Sequence, residues 1–337
     1  MKIAIIGRTE ILYNTTRLLI KQGHSIVCIL TSKEAPEYLK TRKDFLRLAE
    51  ELGVPYSSTS RIFEQEEMLK NAQADIAVSM NYSSIIPYAI IDLFPLGILN
   101  AHGGDLPRYR GNACQTWAIL NEEDRIGLCI HRMDEKLDSG DIIVRDYISI
   151  DHNTKVSEVL NRFSERIPAM FLEAIIKLAK NPDFVLQLQS TDPKDALRCY
   201  PRIPSDGEID WNMSAWEINK LIRAAGTPYS GAYTFFEDVQ DKGKIKKLSI
   251  DAAYIESFES DYCAVPGHVL RMDGGQKWGV VCGDKKILVL EKIRIDGEDV
   301  PVKFHTVRQR LGIDFSNNIN HLYHRLNELE DKLDRLN

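Results

Sequence analysis

The feature that most constrains the fold is an alternation, across the first 130 residues, between short apolar runs and amphipathic stretches. MKIAIIG is a strand-like run ending in glycine, and ILYNTTRLLIKQGH follows with helical spacing as far as Gly23. SIVCILTS reads as a second buried strand, KTRKDFLRLAEELG as a helix, and VPYSS and DIAVSMNY as two more strands. Strand and helix alternating at this spacing predict βαβ units, and so an α/β fold with a doubly wound, Rossmann-like, mostly parallel sheet. Ligands of such sheets lie beyond the carboxyl ends of the strands. The first βα turn, GRTEIL, has Gly7 alone. It lacks the GxGxxG spacing that brings backbone up to a pyrophosphate, which disfavours a nicotinamide dehydrogenase, and no GxxxxGK[ST] phosphate loop is present.

The apolar run IIDLFPLGIL reads as a buried strand coming up to the loop NAHGGDLPRYRG. Residues i and i+2 at a strand end share a side, so Asn100 and His102 face one cleft together. CQTWAILNEEDRIG then reads as a helix and LCIHRM as a strand, followed by the acid-rich turn and strand of DEKLDSGDIIVRDYISI. Asp138 opens a tight Asp-Ser-Gly-Asp turn, and taken alone it reads as a turn-capping carboxylate. TKVSEVLNRFSERIPAMFLEAIIKLAKN carries helical apolar spacing and is expected to cover the sheet.

The character changes near Tyr200. YPRIPSDGEIDW suits a linker, SAWEINKLIRAAG a short helix, and GAYTFF, KKLSIDAAYI, PGHVLRM, WGVVCG and KKILVLEKIRI a series of short strands. These predict a small, OB-like β-barrel or a sandwich. The organisation expected is a catalytic domain over 1–202, a carboxyl-terminal barrel domain over 203–313 and a helix over 314–337. In that last segment Ile319, Leu322, Leu326, Leu329, Leu333 and Leu336 recur at alternating steps of three and four, an a/d seam that predicts a homodimer. The competing reading is an amphipathic helix lying on its own domain. His321, His324 and Asn327 fall off the seam and read as solvated.

Composition bounds the partners. The 337 residues carry a net charge of −6, with 44% hydrophobic and 27% charged residues, ordinary for a globular protein. No nucleic-acid partner is indicated, because such proteins show a basic patch. Cys28, Cys114, Cys129, Cys199, Cys263 and Cys282 show neither CxxC nor metal-ligand spacing. They read as free thiols in a reducing compartment, with no metal site. No signal peptide opens the chain and no apolar run approaches a membrane span, so a cytoplasmic protein without membrane contact is expected.

Asn100-Ala-His102, LPRYRG at 106–111 and Asp138-Ser-Gly140, in this order and spacing, resemble the active-site pattern of the folate-dependent formyltransferase family. That family includes methionyl-tRNA formyltransferase and the sugar N-formyltransferases. DWNMSAWEINKLIRAAGTPYSGAYTF and PGHVL…VVCGDKKILVL resemble the carboxyl-terminal barrel of both branches, so the likeness covers about residues 1 to 312. One departure stands out: members commonly read Ser-Leu-Leu-Pro where this chain has Gly104-Asp105-Leu106-Pro107.

The residue types suit the chemistry without the family. Moving a formyl group from N10-formyltetrahydrofolate to an amine creates an oxyanion, to which the Asn100 amide can donate; His102 can donate when protonated or accept when neutral. The attacking amine must lose a proton, which is work for an imidazole. The resemblance assigns Asp138 to hold the charged imidazolium. It places the pterin near the strand end at Met80-Asn81-Tyr82, between an apolar wall of Leu106 and Pro107 and the loop Asp134, Lys136, Leu137, with Asn112 reaching the same site. For the acceptor, residues 203–313 carry 15 Lys+Arg against 17 Asp+Glu, a poor match to RNA phosphates. Tyr109 in the motif also resembles the sugar branch. The expected acceptor is therefore the amine of a nucleotide-linked dideoxy sugar destined for surface polysaccharide. tRNA formylation is the alternative, and a non-catalytic folate or sugar-nucleotide binder is a third reading.

Overall fold

β-Branched, apolar runs generate the central sheet of the first unit. The computed structural model describes residues 1–238, 241, 244–256, 262–313 and 315–334, without the side chains of 315–318, 320, 321, 330 and 334. Two compact units emerge, Met1–Arg202 and Ile203–Asn337.

In the first unit the order is β1 (Lys2–Gly7), α1 (Glu10–Lys21), β2 (Ser25–Thr31), α2 (Arg42–Leu52), β3 (Tyr56–Ser58), α3 (Glu66–Asn71), β4 (Ile76–Met80), α4 (Tyr88–Ile91) and β5 (Ile98–His102). β6 (Arg110–Gly111), α5 (Cys114–Leu120), β7 (Arg125–Arg132), β8 (Ile142–Ser149), α6 (Val156–Lys180) and β9 (Arg198–Cys199) complete it. Seven strands form one sheet in the order β3-β2-β1-β4-β5-β7-β8. The first five run parallel, and β7 and β8 are antiparallel. The sheet is thus mostly parallel and Rossmann-like, as the alternation implies. Ile3, Ile5, Ile29, Val78 and Leu99 are fully buried, the pattern of strands covered on both faces. The long helix α6 buries Val159, Phe163, Ile167 and Phe171 and lies against α1 and β8.

Two sequence-based boundaries need correction. The run from Ile90 to Leu99 is not one strand: residues 88–91 make a single helical turn after Pro87, and Gly97, at φ 77°, turns the chain into a strand that starts only at Ile98. The helix expected over CQTWAILNEEDRIG stops at Leu120, because Glu122 takes a left-handed conformation (φ 57°), and Arg125 already belongs to β7.

The second unit contains α7 (Ala215–Ala225), β10 (Ala232–Asp238), β11 (Lys244–Glu256), β12 (Val269–Met272), β13 (Lys277–Val281), β14 (Ile287–Ile295), β15 (Glu298–Val300) and α8 (Phe315–Asp334). Ser214 and Glu217 close a capping box at the start of α7. The strands form a curled antiparallel sheet, a half-barrel in the order β10-β11-β14-β13-β12, with β15 added on β14. Trp211, Ile218, Ile222, Phe236, Trp278 and Phe304 share its core. On α8 the seam residues Ile319, Leu322, Leu326, Leu329 and Leu333 are 50–67% exposed. They do not pack as a core stripe within this unit, and Leu336 and the His321 side chain lie outside the described residues.

Candidate active site

β5 delivers Asn100 and His102 to the carboxyl end of the sheet. Its neighbour β7 runs antiparallel, and that register sets Asn100 opposite His131 and His102 opposite Cys129. His131 is the residue sequence reasoning missed: one imidazole in the otherwise strand-like LCIHRM was its only signal. Its ring is almost wholly buried. His131 Nδ1 lies 3.1 Å from the Arg132 carbonyl, which can only accept, so Nδ1 carries the hydrogen. Burial pushes the His131 pKa below its ordinary value, outweighing the nearby Asp138 carboxylate. Nε2 is therefore bare, and it accepts from Asn100 Nδ2 at 3.2 Å. This bond orients the Asn100 amide and uses one of its two hydrogens.

Asp138 sits between the two imidazoles. Its Oδ2 is 3.5 Å from His102 Nδ1 and its Oδ1 is 3.7 Å from His131 Nε2. Oδ2 also accepts the Gly111 backbone N–H at 2.9 Å. The carboxylate does not cap its own turn. Asp134 takes that part, its Oδ1 accepting from the Lys136 amide at 3.1 Å and the Ser139 hydroxyl at 2.6 Å. Three devices hold the loop that presents Asp138. Asp138 adopts a left-handed φ of 50°, and Gly140 passes so close to Arg132 that a Cβ there would stand 1.8 Å from its carbonyl oxygen. Gln189 donates to the carbonyls of Asp138 (3.0 Å) and Gly140 (2.6 Å), and is itself gripped by Arg110. Nothing in the sequence marks Gln189, some fifty residues downstream.

The far edge of the His102 ring is covered. Nε2 contacts the Tyr109 carbonyl and lies 3.6 Å from the Cys114 Sγ, which donates to the same carbonyl at 3.1 Å. The two ring nitrogens thus face a carboxylate and a carbonyl. The Cys199 thiol beside Cys114, together with burial, pushes the Cys114 pKa far up and keeps that sulfur protonated. Gly104 is where the loop closes: a Cβ there would meet the Tyr109 carbonyl at 2.4 Å and His102 Nε2 at 2.6 Å. The other departure from the common pattern also has a structural reason. Asp105 pairs with Arg145 at 2.8 Å and Arg125 at 3.7 Å, and Arg145 reaches the Leu106 carbonyl as well.

Residues expected around a pterin separate into two groups. Leu106 does not form an open wall: it is 1% exposed and turned inward against Cys129 and Ile142. Met80 is buried at the end of β4. Tyr82 packs, like Met133, on the core cluster under that strand end, and its hydroxyl donates to the Thr59 carbonyl at 2.7 Å. Pro107 is half-buried, Asn112 and Lys136 are exposed, and Leu137 is 40% exposed. Tyr109 turns its ring inward, donating to Glu123 at 2.6 Å and accepting from Asn121 at 3.1 Å, and burial raises its pKa.

A model of the formyl transferase family matches residues 1–175, and one of the formyl transferase C-terminal domain matches residues 203–303. The methionyl-tRNA formyltransferase of Desulfotalea psychrophila is 28% identical over 303 residues, covering 88% of this chain and 89% of that protein. That of Geobacter sulfurreducens is 28% identical over 307 residues, covering 88% and 90%. Among solved structures, WlaRD, a sugar 3N-formyl transferase crystallised in the presence of dTDP and 5-N-formyl-THF, superposes with a TM-score of 0.58 at 18% identity. The match covers 86% of this chain and 97% of that one. An N-formyltransferase from Helicobacter canadensis in complex with folinic acid and dTDP-3-aminofucose gives 0.59 at 15% identity, covering 86% and 99%. At these identities the two structures speak for the fold.

Proposed function

The chain belongs to the formyl transferase family, and we propose that it moves the formyl group of N10-formyltetrahydrofolate to the amine of a nucleotide-linked amino sugar. One observation carries the reading: Asn100, His102 and Asp138 converge at a single strand end, with Asp138 against the imidazole. In this scheme the acceptor nitrogen attacks the formyl carbon, and the Asn100 hydrogen not engaged by His131 donates to the oxyanion. His102, held through Nδ1 by Asp138, serves as the base that takes the proton from the attacking amine. Collapse breaks the carbon–N10 bond, the electron pair passes to N10, and the proton held by His102 follows it, releasing tetrahydrofolate. Removing one oxyanion donor typically costs on the order of 10²–10³ in rate. Leu137, Pro107, Asn112, Lys136 and the Met80–Tyr82 strand end would hold the folate. Leu106 supports that wall from behind.

The acceptor assignment is supported by the near-balanced charge of residues 203–313, 15 Lys+Arg against 17 Asp+Glu. A partner contacting several tRNA phosphates calls for positive potential. tRNA formylation keeps specific support from the methionyl-tRNA formyltransferases that match across 88% of this chain. We propose residues 1–202 as the catalytic domain, 203–313 as the barrel and 314–337 as a dimerising helix, in a protein acting in the cytoplasm. Among the described residues no helix is long and apolar enough to cross a membrane. The decisive assay supplies formyltetrahydrofolate with a panel of amino-sugar nucleotides and, separately, charged initiator tRNA at physiological salt. Turnover of a sugar nucleotide is expected; efficient formylation of the tRNA alone overturns the choice.

A further inference from the structure

A hollow of about 430 Å³ opens in the first unit, at the carboxyl edge of the sheet. It is lined by the residues that follow β1, β2, β3 and β4: Arg8, Lys33, Glu34 and Arg42, with hydroxyls from Ser58 to Ser60 and Ser83. Three cations and one carboxylate leave it a net charge of +2 within one concavity. Arg8 is fixed in place. Its Nε donates to the Asn81 carbonyl at 2.8 Å, its Nη1 to the Lys33 carbonyl, and its guanidinium stands 5.3 Å over the Tyr38 ring. Those two bonds use two of its five N–H donors. The side chain therefore ties three strand ends together while keeping donors in reserve. Arg42 opens α2, and Glu34 lies 3.9 Å from its Nε, a loose contact between side chains that are partly solvated. At that helix end Asp44 Oδ2 accepts from the Thr41 amide and hydroxyl, and Glu34 accepts the Arg42 amide at 3.4 Å. The lining charges, rather than a bare helix terminus, define this place.

Donors dominate the lining: two guanidiniums, an ammonium and four hydroxyls surround one carboxylate. Such a set matches the oxygens of phosphoryl groups, for which guanidinium provides paired donors and ammonium a point charge. The volume exceeds what a single phosphate fills and accommodates a diphosphate with part of what it carries. We propose that this hollow is the diphosphate subsite for the acceptor nucleotide, with Arg8, Lys33 and Arg42 as its cations. The assignment rests on the amino-sugar nucleotide reading above. The only other source of the same anionic chemistry in the reaction is the carboxylate tail of the folate.

Titration of the full chain with inorganic pyrophosphate, followed by calorimetry, tests the site without any turnover. Saturable binding is expected, weakened about tenfold by Lys33→Gln and by Arg42→Gln, as loss of one charge-assisted contact implies. Both side chains stand at the hollow's rim, so these variants report binding even where Arg8→Gln disturbs the strand ends it ties. The same variants should raise KM for the amino-sugar nucleotide by a similar factor and leave kcat unchanged. Pyrophosphate affinity unaltered in both variants overturns the proposal. So does a KM effect confined to polyglutamyl over monoglutamyl folate, which would assign the hollow to the folate tail. If no amino-sugar nucleotide is formylated while pyrophosphate binding still depends on Lys33 and Arg42, the acceptor reading fails and the anion site stands.

Discussion

Two stretches of the sheet's carboxyl edge handle charge in opposite ways. At the β5 end, Asp138 and two imidazoles are packed to 11% exposure or less and are held by Gln189, Gly111 and the Tyr109 carbonyl. At the β1–β4 end, Arg8, Lys33 and Arg42 line an open hollow and have one carboxylate among them. Burial strengthens an electrostatic interaction and fixes its geometry, which is what directed proton transfer requires. Exposure leaves charge free to attract a polyanion over some distance, at the cost of screening by salt. In the proposed reading, packed charge suits the bond-making step and open charge suits capture of the anion.

The largest effect expected tests the packed end directly. His102→Ala and Asn100→Ala should each lower kcat by roughly 10²–10³ with the circular dichroism of the fold retained. Asp138→Asn should lower kcat by roughly a hundredfold and displace one limb of the pH–rate profile. Near-normal rates in the first pair would remove those side chains from the chemistry, and an unmoved profile would leave Asp138 as a loop anchor.

A smaller effect probes the close fit. Gly104→Ala should destabilise the protein by about 1–3 kcal/mol in urea unfolding, because the added methyl meets the Tyr109 carbonyl and the His102 ring. An unchanged midpoint would show that the loop yields easily.

Smaller again is a pH dependence of stability from His131. Its pKa is lowered on folding from 6.5 because the buried ring resists charge. Above 6.5 the ring is neutral in both states and burdens neither. As pH falls below 6.5 the unfolded chain binds a proton that the folded chain refuses, so stability declines by up to about 1.4 kcal/mol per pH unit. His131→Gln should flatten that segment of the curve, and a parallel curve would mean another group sets the slope.

The smallest change in activity is expected of the tail. Deleting residues 315–337 should move the mass seen by light scattering towards monomer with activity per chain nearly constant. Seam leucines this exposed need a partner surface, and an isolated helix of this length is marginal in water. A truncated protein of full-length mass would sink the dimer.

Much of this was legible in the residues. Strand–helix alternation identified the sheet, and the i, i+2 rule placed Asn100 with His102. The partners of those side chains were not legible, because they arrive through antiparallel pairing and distant coil. His131 depends on the β5–β7 register, and Gln189 on a crossing of the Asp138 loop with a segment near β9. Asp134 and Asp138 look alike as turn acids, and only the fold assigns the capping to one and the imidazole to the other. Leu106 turns inward because its loop folds over Cys129, a tertiary choice that no local pattern announces. The turn GRTEIL was set aside for want of glycines, yet it carries Arg8.

Gly104 bears on what this loop can tolerate. A serine here would press its Cβ against the Tyr109 carbonyl, which fills the space that side chain would need. Withdrawing that carbonyl would strip a partner from both Cys114 and His102. It would also draw on the strand pairing that follows, Arg110–Gly111 with Arg198–Cys199. A larger residue at 104 is therefore accommodated only at the expense of those contacts, so this one missing side chain ties the loop, the thiol and the imidazole into a single unit.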